Sequence, residues 1–216
     1  MRLFGTVLGL VGRCLLPDQW KTLSHSLRDA RARYLCSSQH SASSLFVIAL
    51  IASEDRRFMH HRGVDPIAIC RAASRLVWSH RVEGASTIEQ QLVRVVTARY
   101  ERTLRRKIRE VLLAPLVETV VPKADIPGLY LSVAYFGAQM SGLSQACHRL
   151  GVDAARPSLC DAAAVVARIT FPEPTKPSPM QAARILRRTE YVTRLLEERL
   201  RDRTVAVLAH ASERIG

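Results

Sequence analysis

The chain has 216 residues, 48% of them hydrophobic, which excludes wholesale disorder and suits one compact domain with ragged ends. The 32 Lys and Arg outnumber 19 Asp and Glu for a net charge of +13, so anionic partners are expected: nucleic acid, an acidic membrane surface or a phosphorylated substrate. The 5 cysteines are scattered without a C-x-x-C, which argues against a disulfide framework or a zinc site and reads as small buried or half-buried apolar residues.

Residues 1–40 are basic and irregular in pattern. Leu3–Leu16 is mostly apolar, but Arg13 interrupts it, and it falls short of the ~20 apolar residues that cross a bilayer. It reads either as an interfacial or export segment or as an amphipathic leader. Ser41–Ser44 form a polar stop before the apolar run Leu45–Ala52. Periodicity alone leaves that run a buried strand or a buried helix, and the serines, which suit an N-cap, favour helix. Helices are expected over 65–79, 86–98 and 102–121, the last kinked or broken at Pro115. Ser158 and Asp161 resemble a capping box that opens the apolar run through Ile169. A loop carrying Pro172, Pro174, Pro177 and Pro179 follows, then a charged helix from about Met180 to Arg201. Few segments alternate at period two, so the expected fold is mainly α. The organisation expected is a leader or membrane-proximal segment over 1–40, one domain over 41–201 and a tail over 202–216.

Three stretches carry chemistry. The first runs from Glu54 and Asp55 through Phe58, His60 and His61 to Gly63. A carboxylate at the end of an apolar helix can serve in proton transfer, with a histidine to orient it; the plain alternative is a solvated helix end paired to Arg56 and Arg57. The second is Gly84-Ala-Ser-Thr-Ile-Glu-Gln-Gln91, where a turn, a capping hydroxyl and paired amides can bond sugar hydroxyls or phosphate oxygens. An ordinary capped helix with exposed glutamines would look the same. The third is Arg94 followed by Arg102–Glu110, where Arg102, Arg106 and Glu110 recur at fours and Lys107 joins their side. That face suits a pyrophosphate, since guanidinium binds phosphate oxygens bidentately. A surface helix laced with ion pairs or a basic helix on nucleic acid are the alternatives. Aromatic residues are only 6%, too few for stacking on single strands, and no nucleic-acid partner is expected.

Taken together, these stretches resemble the glycosyltransferase domain of class A penicillin-binding proteins and its monofunctional transglycosylase relatives. Glu54, Asp55, Phe58, His61 and Gly63 match E-D-x-x-F-x-x-H-x-G at each fixed position. Gly84, Ser86, Thr87, Ile88, Gln90 and Gln91 match G-x-S-T-I-x-Q-Q, and Arg106, Lys107 and Glu110 match R-K-x-x-E. Leu129-Tyr130-Leu131-Ser132 with Phe136-Gly137 is similar to a fourth motif, and Ala162–Pro179 to a fifth. Order and gaps agree over about residues 40–200. The chain departs from the pattern at Ser132, where Asn is usual, at Val95, and at Glu83, where Gly is common. Pro115 and Pro127-Gly128 would interrupt helices, and His148–Gly151 stands where Tyr-Phe-Gly is usual.

The resemblance implies a lysozyme-like, mainly α fold and polymerisation of lipid II into glycan strands. Glu54 would be the general base that deprotonates the acceptor's GlcNAc 4-hydroxyl for inverting attack on the anomeric carbon, with Glu110 assisting. Asp55, His61, Ser86, Thr87, Gln90, Gln91, Arg94, Arg102, Arg106 and Lys107 would contact substrate, the cations stabilising a polyprenyl pyrophosphate leaving group, with a divalent Mg or Mn beside it. No dedicated metal ligands are assigned. Lipid II, the growing glycan chain, a membrane surface and cell-wall or secretion machinery are the implied partners. The implied location is the outer, periplasmic face of the cytoplasmic membrane, peripheral or weakly anchored. The chain carries no S-x-x-K and no K-T-G, so penicillin is not an expected ligand. The rival readings are a lysozyme-like glycan hydrolase, also built on one buried Glu, and a non-catalytic basic helical binding protein.

Overall fold

The computed structural model describes residues 2–37, 43–79 and 84–212. The boundary expected at 40–41 and the departure at Glu83 lie outside the described residues. As expected, the fold is mainly α. The helices are α1 (Arg2–Leu15), α2 (Pro17–Cys36), α3 (Ser44–Glu54), α4 (Pro66–Ser79), α5 (Ile88–Val96), α6 (Leu104–Leu113), α7 (Ile126–Val133), α8 (Leu143–Leu150), α9 (Leu159–Thr170) and α10 (Pro179–Ser212). Residues Phe58–His60, Ala114–Thr119 and Lys123–Asp125 form 3-10 turns. The chain divides into two compact units, the first comprising residues up to 40 and 54–134, the second 41–53 and 135 onward.

In the first unit, α2, α5 and α7 pack on one another and bury Leu23, Leu27, Ile88, Leu92, Leu129 and Leu131. The sequence shows no clear element before residue 40, yet α2 is a 20-residue helix. Leu23, Leu27, Ala30 and Tyr34 recur at threes and fours and are its buried face, while the charged residues around them mask the period. α1 packs on α6 and on the Ala114–Thr119 turn through Gly9 and Gly12, and its third buried residue, Gly5, faces Arg62. A Cβ at Gly12 would run into the backbone of Leu112, and one at Gly5 into that of Arg62. The large apolar side chains of α1 point away from that contact.

Pro115 breaks the expected 102–121 helix: α6 ends at Leu113, and a 3-10 turn with Pro115 near its start takes over. α6 also starts later than expected. Thr103 is its N-cap, accepting from the Arg106 amide, so Arg102 lies ahead of the helix and does not share a helical face with Arg106 and Glu110. Pro127 does not interrupt α7, because it sits in the first turn, where a missing N–H costs nothing. Gly128 admits the Tyr34 hydroxyl, which a Cβ there would strike.

In the second unit, α9 packs against α10 and buries Ala162, Ala163, Val165 and Val166. The Ser158–Asp161 capping box is present in both directions. β1 (Tyr135–Gly137) and β2 (Met140–Ser141) make a short antiparallel hairpin that the sequence does not announce, three residues being too few to show a period. Gly151 caps α8 in the left-handed conformation, which gives the departure at His148–Gly151 a structural use. Among the cysteines only Cys147 is buried, where desolvation pushes its thiol up to about 11; Cys14, Cys36, Cys70 and Cys160 are exposed, contrary to the apolar-filler expectation.

Candidate active site

The residues singled out from the sequence converge in the first unit, where α5 is the organising element. Thr87 caps α5, its hydroxyl accepting from the Gln90 amide at 3.3 Å and donating to the Gly63 carbonyl at 2.7 Å. That second bond ties the loop after α3 to the start of α5. Gly63 itself has a φ of +72°, and a Cβ there would meet the Ala114–Pro115 backbone, so no other residue fits without strain.

Glu54 ends α3 half-buried. Its Oε2 lies 3.4 Å from the Gln91 Nε2, and Gln91 Oε1 in turn accepts from the Tyr130 hydroxyl at 2.7 Å. Tyr130 is deeply buried, and desolvation, reinforced by the Glu54 charge, drives its phenol far above the ordinary range. It therefore stays a neutral donor at neutral pH, and Gln91 is held with its amide nitrogen toward Glu54. Neighbouring Asp55 is buried and spends its carboxylate internally. His61 Nε2 stands 2.9 and 3.1 Å from its two oxygens, and the Ile88 amide donates to Oδ2 at 3.2 Å. Because a carboxylate only accepts, His61 donates to it through Nε2.

One turn along α5 from Gln91, Arg94 donates from Nε and Nη2 to the two oxygens of Glu110, at 2.8 and 3.2 Å. Arg106 also donates to Glu110, and Lys107 Nζ lies 3.7 Å from it. Glu110 is 1% exposed, so an otherwise costly buried carboxylate is compensated by three cations. Lys107 donates to Ser86 Oγ and to Gln90 Oε1, both at 2.7 Å, which joins the second motif to the third. Burial lowers the Lys107 pKa from its ordinary value. The glutamines are not the exposed pair an ordinary capped helix would show: Gln90 is 1% exposed. Arg102 is exposed, and Arg106 also donates to the Glu101 carbonyl.

Three residues of this neighbourhood carry no assignment from the sequence: Tyr130 as the support of Gln91, and Glu89 with Lys123. Tyr130 had a signal in the fourth motif. Glu89 and Lys123 had none, since one falls at a variable motif position and the other is an isolated lysine after Pro122.

The carboxylates of this neighbourhood that lie near a possible cation already have protein partners. Both Glu110 oxygens are engaged by guanidinium groups. Asp55, His61 and Glu89 have ligand atoms within 4.8 Å of one another. There too Asp55 is committed to His61 and Ile88, and the Lys123 ammonium pairs with Glu89.

The sequence matches the transglycosylase family over residues 21–197. It is 39% identical over 154 residues to penicillin-binding protein 1A of Escherichia coli (strain K12), a match covering 70% of this chain and 18% of that protein. It is 40% identical over 152 residues to penicillin-binding protein 1A of Aquifex aeolicus (strain VF5), covering 69% and 21%. The corresponding protein of Rickettsia conorii (strain ATCC VR-613 / Malish 7) is 32% identical over 164 residues, covering 74% and 21%. The chain thus spans about a fifth of the length of the curated relatives it matches.

Proposed function

The chain belongs to the transglycosylase family, with its lysozyme-like, mainly helical fold, and we propose from that membership that it is a peptidoglycan glycosyltransferase that polymerises lipid II. The observation that carries this reading is the face of α5. Gln91, bonded to Glu54, and Arg94, bonded to Glu110, are three residues apart on one helix, an axial rise of about 4.5 Å. A base and a cluster of cations so spaced suit a reaction that takes a proton at one end and releases a pyrophosphate at the other.

In the proposed step Glu54 accepts the proton of the acceptor's GlcNAc 4-hydroxyl. The oxygen attacks the donor's anomeric carbon with inversion, and the bond from that carbon to the pyrophosphate breaks with its electron pair leaving on the phosphate. Lys107, Arg94 and the exposed Arg102 stabilise that charge. Glu110 acts by holding Arg94, Arg106 and Lys107 in place, so the positive charge is arranged before the reaction begins. Asp55 and His61 hold the Glu54 turn, and Ser86, Thr87 and Gln90 hold Lys107 and the start of α5. No step is assigned to a metal.

We further place the protein on an anionic membrane surface, with the outer face of the cytoplasmic membrane as its site of action. No helix among the described residues is long and apolar enough to cross a membrane. α1 docks by its glycines and leaves Leu3, Phe4, Val7, Leu10, Val11 and Leu15 exposed. Such a face can lie in the interface, helped by basic residues worth up to ~1 kcal/mol each near acidic lipid.

Incubating the protein with labelled lipid II in mixed micelles tests the assignment. Accumulation of long glycan polymer is expected. Shortened glycan from preformed strands would instead identify a hydrolase, and no change in either substrate would identify a binding protein.

A further inference from the structure

Glu89 falls at the unspecified position of the second motif and is 0% exposed. Burial is the main reason its carboxyl is held above the ordinary range, against the opposing pull of Lys123 and His61. An apolar residue would fill this place at lower cost. What Glu89 does instead is hold Lys123. That ammonium donates to Glu89 Oε1 and, at 3.1 Å, to the His61 carbonyl; it lies 3.1 Å from Glu118 and 4.0 Å from the centre of the Phe58 ring. Lys123 thereby gathers the loop after α3, the first turn of α5 and the turn that follows α6.

These bonds close a ring. Asp55, next to Glu54, binds the Ile88 amide; Ile88 precedes Glu89; Glu89 binds Lys123; Lys123 binds the His61 carbonyl; and His61 returns through Nε2 to Asp55. We propose that Glu89 is a positioning residue for glycosyl transfer: through Lys123 and His61 it fixes Asp55, and with it the neighbouring Glu54. This rests on the reading of Glu54 as the base. Glu89 acts through hydrogen bonding to Lys123, so a neutral acceptor in its place suffices. Donor binding belongs to Lys107 and Arg94, outside the ring, and does not depend on Glu89.

The test compares Glu89→Gln, Glu89→Leu and the double variant Glu89→Leu/Lys123→Met for melting temperature, kcat and KM on lipid II, with Glu54→Gln alongside. Glu89→Gln keeps an oxygen for Lys123 and should hold kcat within about twofold of the parent. Glu89→Leu strands the ammonium and should lose both stability and rate. The double variant removes both charges, leaves Glu118 to Arg62 at 3.5 Å, and should recover the melting temperature. Its kcat should nonetheless stay at least tenfold down with KM unchanged. A double variant with parental kcat, or one whose loss lies in KM, overturns the proposal. Should Glu54→Gln alone retain parental activity, the base assignment fails, an outcome readable apart from the Glu89 series.

Discussion

Tyr130 and Lys107 show how much a single side chain carries here. The Tyr130 hydroxyl fixes Gln91, whose amide reaches Glu54. Tyr130→Phe removes that bond and leaves a half-buried amide oxygen short of a donor, which should cost about 1–3 kcal/mol in chemical denaturation. Steady-state assay on lipid II should show kcat reduced about tenfold with KM little changed. Lys107→Ala, in contrast, should raise KM for the donor while lowering the melting temperature only modestly, because Arg94 and Arg106 still pair with the buried Glu110. Lys107 also predicts a pH effect. Its pKa lies below the ordinary lysine value because partial burial disfavours the charged form. Donor affinity therefore stays full while Lys107 is protonated and is lost as pH rises through that depressed pKa, before an ordinary lysine would titrate. Titrating binding of a phosphoglycolipid donor mimic against pH reads this directly, and Lys107→Arg should move the alkaline limb upward. Glu54, Asp55, Gln91, Arg94 and Glu110 were legible from spacing and resemblance. Glu89 and Lys123 were not, because their meaning is a tertiary pairing across 34 residues.

At the scale of elements, α1 and the Gly63 turn are held by the absence of side chains. Gly12→Val should drive α1 off the Leu112 backbone, with a loss of at least 1–3 kcal/mol from overpacking seen as a lower melting temperature. Gly63→Ala meets both a positive φ and the Ala114–Pro115 backbone, and should destabilise the fold by more than the usual ~1 kcal/mol Gly-to-Ala difference while also disturbing Thr87. Helices α3 to α6 could be read because an apolar run, a capping threonine or a basic-apolar period marks each. The end of α6 could be read because Pro115 forbids its continuation. Helix α2 has a 3.6-residue period, but it is buried in a segment dense with charge and so passed as irregular. The start of α6 departs from the expected residue 102 for a related reason: Arg102 has the right spacing, and only the Thr103 cap shows that the spacing is not helical there.

For the whole molecule, the net charge of +13 and the exposed face of α1 make the same prediction about location. Sedimentation with vesicles containing acidic lipid should pull the protein down at low salt and release much of it at 1 M salt, where the screening length falls to about 3 Å. Replacing Leu3, Val7 and Leu10 together by Glu should weaken that binding with little change in melting temperature, since all three are exposed. Location matters because the proposed donor is lipid-linked, yet the chemistry stands on Glu54. The decisive measurement is the single-turnover rate at which a Glu54→Gln variant extends labelled lipid II, alongside its binding of the phosphoglycolipid donor mimic. A loss of roughly 100- to 10,000-fold in rate with donor binding retained is the predicted result; polymerisation at the parental rate would contradict it.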